Sequence, residues 1–211
     1  MNFTSIAIFI IWLFHLSGII GIVYFDAGWF LSMTPLNLTV NFVLLVITSL
    51  KSNNFLKVLS LSFFLGFLSE FLGVNYNLIF GNYNYGNALG PKLFGVPILI
   101  CCNWSILTIC CGSIAKEFSK NFFLKIFIGM ALMLFLDLLM EPLAPTFDFW
   151  TFKGGMPTLQ NYIGWFFVSL PMHFFYHYWK VDINSYFCHN LFFVQFLFFM
   201  VLLLKINSIN I

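Results

Sequence analysis

Apolar residues run along this chain in long blocks broken by short polar stretches, and seven blocks are long enough to be read as membrane helices. Spanning lipid takes about 20 mostly apolar residues, because a helix must satisfy its own backbone hydrogen bonds where there is no water. The blocks run from Thr4 to Tyr24, Pro35 to Leu50, Phe55 to Gly73, Pro97 to Ala115, Phe122 to Leu143, Leu159 to Trp179 and Phe187 to Ile206. The expected architecture is an all-α integral membrane protein, a bundle of about seven transmembrane helices with two ordered non-cytoplasmic loops.

Composition agrees with the pattern. Of 211 residues, 61% are hydrophobic and only 8% charged, which excludes an ordinary soluble surface. A formal charge of +2, spread thinly, leaves no basic stripe for nucleic acid. The first block lacks a basic n-region and exceeds a signal-peptide core, so it reads as a retained first helix. The 31 Phe residues read as codon bias, and no single one counts as a signal. Cys101, Cys102, Cys110, Cys111 and Cys188 lie in apolar segments, without the spacing of a disulfide framework or a zinc site. No repeat or long linker divides residues 1–211, which read as one polytopic membrane domain.

Lysine placement sets the expected orientation. Lys51, Lys57, Lys116, Lys120, Lys125 and Lys180 fall on the side shared with the N-terminus, whereas Lys92, Lys153 and Lys205 fall opposite. The positive-inside rule therefore puts the N-terminus in the cytoplasm. Two connections emerge on the other side. Val74 to Val96 is long for a helix connection and rich in Asn, Tyr and Gly, as an ordered polar cap would be. Ala144 to Thr158 follows a helix ended by Pro142 and Pro145, and carries Trp150 where an interfacial anchor is expected.

The candidate chemistry lies beneath these loops. Asp137 and Glu141 are one helical turn apart on one face, with no basic residue nearby, and Glu70 falls at similar depth near the end of the third block. Intramembrane carboxyls face a bundle interior or a wet cavity. Several in one poorly hydrated place cannot all ionise cheaply, so at least one keeps its proton. An acid beside a base is what is needed to protonate an alkene or activate a water. The plainer alternative is that these acids cap or hydrogen-bond neighbouring helices near the interface.

Asn103, Gln160 and Asn161 fall near the same level and suit holding a water or orienting a carboxyl. Tyr83, Tyr85, Trp104, Trp150 and Trp165 offer aromatic faces that stabilise a cation, although singly each fits an interfacial belt. His173 and His177 have i,i+4 spacing but lack the glutamate of a zinc-protease motif, and His15 reads as a hydrogen-bonded core histidine. No metal site is expected.

SEFLGV at 69–74, FGNYNYGNALGPKLFGVP at 80–97, DLLMEP at 137–142 and LQNYIGWF at 159–166 resemble, in order, motifs of a known family. It is the membrane carotenoid-biosynthesis family that includes CruF, the carotenoid 1,2-hydratase of bacteria and haloarchaea. The resemblance covers 64–167, while the first, second and seventh blocks match only in character. It implies a cofactor-independent hydratase of a bacterial-type plasma membrane. Such an enzyme adds water to the terminal 1,2 double bond of an acyclic carotenoid end to give a tertiary alcohol. By the same resemblance Glu70, Asp137 and Glu141 are the catalytic acids. Glu141 stands where the family usually has Asp, and 147–158 is shorter than the Gly-rich, Tyr-bearing version of other members.

The two readings meet in one mechanism. A protonated carboxyl, Asp137 or Glu141, donates to the less substituted alkene carbon. The partner acid or Glu70 deprotonates the attacking water, and Tyr83, Tyr85, Trp104 or Trp165 line the cation. Expected partners are a carotenoid lipid, water, membrane lipid and other carotenoid enzymes. The rival readings are an end-group cyclase, which shares the first protonation, a small proton-coupled transporter, and a non-catalytic accessory subunit.

Overall fold

A computed structural model describes residues 2–206. In chain order the helices are α1 (Phe3–Tyr24), α2 (Ala27–Ser32), α3 (Thr34–Ser49), α4 (Phe55–Tyr76), α5 (Ile98–Phe118), α6 (Phe122–Met140), α7 (Leu159–Tyr178) and α8 (Ser185–Lys205). Four short strands lie in the connections: β1 (Tyr83–Tyr85), β2 (Lys92–Leu93), β3 (Val96–Pro97) and β4 (Trp150–Phe152). Five helices, α1, α4, α5, α6 and α8, are long and apolar enough to cross a membrane. The other two expected spans form helices outside that set: α3 has only 16 residues, and α7 carries Gln160, Asn161, His173 and His177.

Helix α5 is the axis. Its residues from Ile100 to Ala115 are all buried, and it packs against α3, α4, α6, α7 and α8. Small side chains allow this closeness. A Cβ at Gly66 of α4 would stand 2.8 Å from Trp104 of α5, and one at Gly112 of α5 would stand 2.8 Å from Tyr176 of α7. The five cysteines are buried and unpaired, four of them on this axis.

Helix ends differ from the sequence expectation for local reasons. Asp26 caps a short extra helix, α2, by accepting from the Trp29 N–H at 2.9 Å. Helix α4 runs on to Tyr76 because Asn77, with φ +56°, closes it in the left-handed conformation that favours Asn, its N–H reaching the Gly73 carbonyl. Helix α6 stops at Met140, since Pro142 has no N–H to continue it.

The two long loops are stitched together. β1 and β4 pair antiparallel, Tyr83 with Phe152, Asn84 with Thr151 and Tyr85 with Trp150. A second hairpin, β2–β3, turns through Phe94 and Gly95, both at positive φ, as a tight two-residue hairpin turn requires. Gly86 allows the chain to pass Asp148, where a Cβ would lie 2.2 Å from the backbone oxygen. The Asp148 carboxylate then accepts the Asn87 N–H at 2.7 Å. The result is an ordered lid over the ends of α4, α6 and α7.

Candidate functional site

Glu70 is the best-held acid. It lies buried on α4 and accepts three hydrogen bonds, from the Tyr83 hydroxyl at 2.5 Å, the Tyr85 hydroxyl at 2.7 Å and the Trp104 indole N–H at 2.9 Å. Strand alternation explains the pair of tyrosines. Residues two apart on β1 share a face, so Tyr83 and Tyr85 both turn inward while Asn84 is exposed. Gly73, three residues after Glu70 and so on the same face of α4, makes the room. A Cβ there would stand 2.6 Å from the Tyr83 hydroxyl.

Glu141, just beyond the last residue of α6, is held by two donors: the Trp150 indole N–H at 3.0 Å and the Asn161 amide at 2.6 Å. Trp150 comes from β4 directly opposite Tyr85, and their rings meet edge to face at 6.2 Å. The ribbon therefore sets a donor for Glu70 beside a donor for Glu141. Between the two acids is a hollow of about 20 Å3, walled also by Phe80, Ile100, Phe152 and Trp165. That is room for about one water.

Electrostatics separate the groups. Burial, and next the charge of Glu70, push the Tyr83 and Tyr85 phenols well above the usual tyrosine range, so both remain neutral donors. Burial likewise pushes Glu141 up to about 7, against the pull of Trp150 and Asn161, and the Glu70 charge adds to the rise. Asp137, one turn back, is wholly buried, and among the described residues neither of its oxygens has a hydrogen-bond partner. It shares the helical face that leads to Glu141. Asn161 is near it too, but stands at hydrogen-bond distance only from Glu141.

A family model described as carotenoid biosynthesis protein matches residues 27–210. The chain belongs to that family. No curated protein and no solved structure matches the chain. The match contains every candidate residue named so far apart from His15, and it extends well beyond the four motifs, from α2 to the end of α8.

Within this member of the family, most of the expected residues converge. Glu70, Glu141, Tyr83, Tyr85, Asn161 and Trp165 wall the hollow, and Trp104 stacks on Trp165 with centroids 4.0 Å apart while bonding Glu70. Three do not join them. Asp137 sits behind Glu141 and does not wall the hollow. Asn103 turns to the other side of α5, into a separate cavity of about 60 Å3. Gln160 is exposed and borders an outer groove with Ile79 and Phe167, because the adjacent Asn161 takes the inward face of α7. Trp150 does more than anchor an interface, and Phe80 and Phe152 were not foreseen. The alternation of large rings in FDFWTF and NYNY was the available signal for two paired strands. Among the described residues, no group of three or more His, Cys, Asp or Glu gathers as metal ligands.

Proposed function

We propose that this protein is a carotenoid hydratase, adding water across the terminal 1,2 double bond of an acyclic carotenoid end. The observation that carries the reading is the pairing of Glu70 and Glu141 across a water-sized hollow, each acid already supplied with donors.

The assignment of roles follows from those donors. Glu70, held in place by three donors at the edge of the hollow, is assigned the part of the base that takes a proton from the water. Glu141, poised near neutrality, is the proton donor. Its proton goes to C2 of the alkene, the π pair forms the C–H bond, and C1 becomes a tertiary cation facing the rings of Trp165 and Tyr85. Water in the hollow attacks C1 and passes a proton to Glu70. The water that refills the hollow returns this proton to Glu141. Asp137, one turn behind Glu141 and outside the hollow, acts as a positioning residue. A hollow with room for a water between two carboxyls favours hydration over the cyclase reading, which needs a dry site.

The test is expression in a bacterium that accumulates lycopene, with chromatography and mass measurement of the pigment. A more polar pigment heavier by one water is expected. An isomer of unchanged mass would instead make the protein a cyclase, and unchanged pigment would overturn the reading.

A further inference from the structure

The cavity beyond Ile100 and Trp150 is built from different chemistry. Its polar wall is His15 of α1, Thr34, Asn37 and Asn41 of α3, Asn103 of α5 and Gln195 of α8, and among the described residues no Lys, Asp or Glu lines it. An ion would find no counter-charge there, so the occupant is neutral. The His15 Nδ1 lies 2.7 Å from the Ile11 carbonyl. Since a carbonyl only accepts, Nδ1 carries the hydrogen and Nε2 of the neutral ring is an acceptor. Among the described residues, the buried Asn41 Oδ1 and Gln195 Oε1 find no hydrogen-bond partner. Buried acceptors left open call for a neutral donor, such as a hydroxyl.

The approach to the cavity is apolar. A groove of about 420 Å3 between α1, α2 and α3 shares Thr34, Asn37 and Phe198 with it. The outer wall of the groove includes Trp29 and Leu36, both exposed apolar side chains of the kind that face lipid. On its inner side the cavity shares Ile100 and Trp150 with the acid hollow. Groove, cavity and hollow therefore lie side by side in that order, each divided from the next by the residues they share.

From this we infer that the cavity binds the hydroxyl of a neutral, chain-shaped apolar molecule. Its head lies among His15, Asn41 and Gln195, and its chain lies in the groove between α1 and α3. The identity of the ligand rests on the hydratase reading, under which it is the tertiary alcohol made at the neighbouring acids. The amides would draw the hydrated end away from Glu141 before it can be protonated again and lose its water.

Binding without turnover tests this. The purified protein in detergent is titrated with three probes on one polyene chain: the hydrocarbon, its terminal tertiary alcohol, and the methyl ether of that alcohol. Quenching of tryptophan fluorescence is the readout. The alcohol should bind about tenfold more tightly than the other two, because the ether keeps the oxygen but has no hydrogen to give. Asn41→Leu and Gln195→Leu, combined with His15→Phe so that no acceptor of the head site remains, should bring all three to the same affinity. Equal binding of alcohol and ether by the unaltered protein would overturn the inference, as would a preference that survives the triple substitution. The comparison on unaltered protein decides even where the triple variant does not fold. The hydratase reading fails separately, through unchanged pigment in lycopene-accumulating cells.

Discussion

The acid hollow and the amide cavity share a wall, Ile100 and Trp150, yet they solve opposite problems. In the hollow, the two glutamates are acceptors surrounded by donors, five in all, from Tyr83, Tyr85, Trp104, Trp150 and Asn161. In the cavity, Asn41 and Gln195 hold acceptors with no donor at all. A satisfied polar site is organised before its substrate arrives, which is what electrostatic catalysis requires. An unsatisfied one is completed by its ligand. The difference teaches that hydrogen-bond accounting, rather than polarity alone, separates a place for chemistry from a place for recognition.

The largest effects should come from unbalancing the hollow. Glu141→Gln cannot deliver a proton, and loss of a general acid lowers rates by about 10²- to 10⁴-fold. Hydrated pigment in lycopene-accumulating cells should fall by that order while membrane levels of the protein hold. Full product formation would remove Glu141 from the mechanism. Glu70→Leu should go further and destabilise the fold, because it strands three buried donors at about 1–3 kcal/mol each. By contrast, Asn41→Leu with Gln195→Leu removes open acceptors, and its thermal unfolding in detergent should match or exceed that of the parent. If both replacements cost the same, the contrast between the two sites disappears.

Next in size is Gly73→Ala. The new Cβ would meet the Tyr83 hydroxyl at 2.6 Å, so either the ribbon or α4 has to move. Overpacking of this kind costs about 1–3 kcal/mol. Because the displaced hydroxyl is a donor to Glu70, activity should drop together with the melting temperature, whereas a merely structural glycine would affect melting alone.

This same contact shows how far the site was legible in the sequence. Glu70, Asp137 and Glu141 stood out because a carboxyl in an apolar block has few reasons to be there, and their grouping at one depth followed from alternating the direction of the helices. Helix positions were readable from the length of the blocks. What was not readable is the pairing of β1 with β4: each strand has three residues, too few for a periodic signal, and the pairing joins segments more than sixty residues apart. That pairing is what turns Trp150 from an interface anchor into a donor for Glu141. Asn103 and Gln160 turn away from the hollow. The face of α5 or α7 that meets the acids depends on helix rotation, which is hidden in α5 because it is buried on all sides and in α7 because its lipid-facing side is as apolar as its inner one.

A smaller effect tests the electrostatics of the shared wall. With Glu141 raised to about 7, its proton-donating form is present below that pH and is lost above it, so the rate should decline as pH rises through about 7. Trp150→Phe keeps the ring but removes the N–H that favours the ionised form. The carboxyl then holds its proton to higher pH, and the alkaline limb should move up by about one pH unit. A limb that stays in place, or moves down, would mean that another group donates the proton.

The smallest effect is expected just outside both sites, and it sharpens the contrast from the other direction. Gln160 and Asn161 are adjacent amides on α7, yet only Asn161 reaches a carboxyl, while Gln160 lies exposed on the outer groove. Gln160→Leu should leave stability within about 0.5 kcal/mol and hydration essentially unchanged. Asn161→Leu removes the 2.6 Å donor from Glu141 and should raise the alkaline limb in the same sense as Trp150→Phe. Measured side by side as pH–rate profiles, the two substitutions separate an amide that tunes the acid from one that only shares its neighbourhood. Equal profiles would show that membrane depth, and not contact with Glu141, is what the chemistry senses.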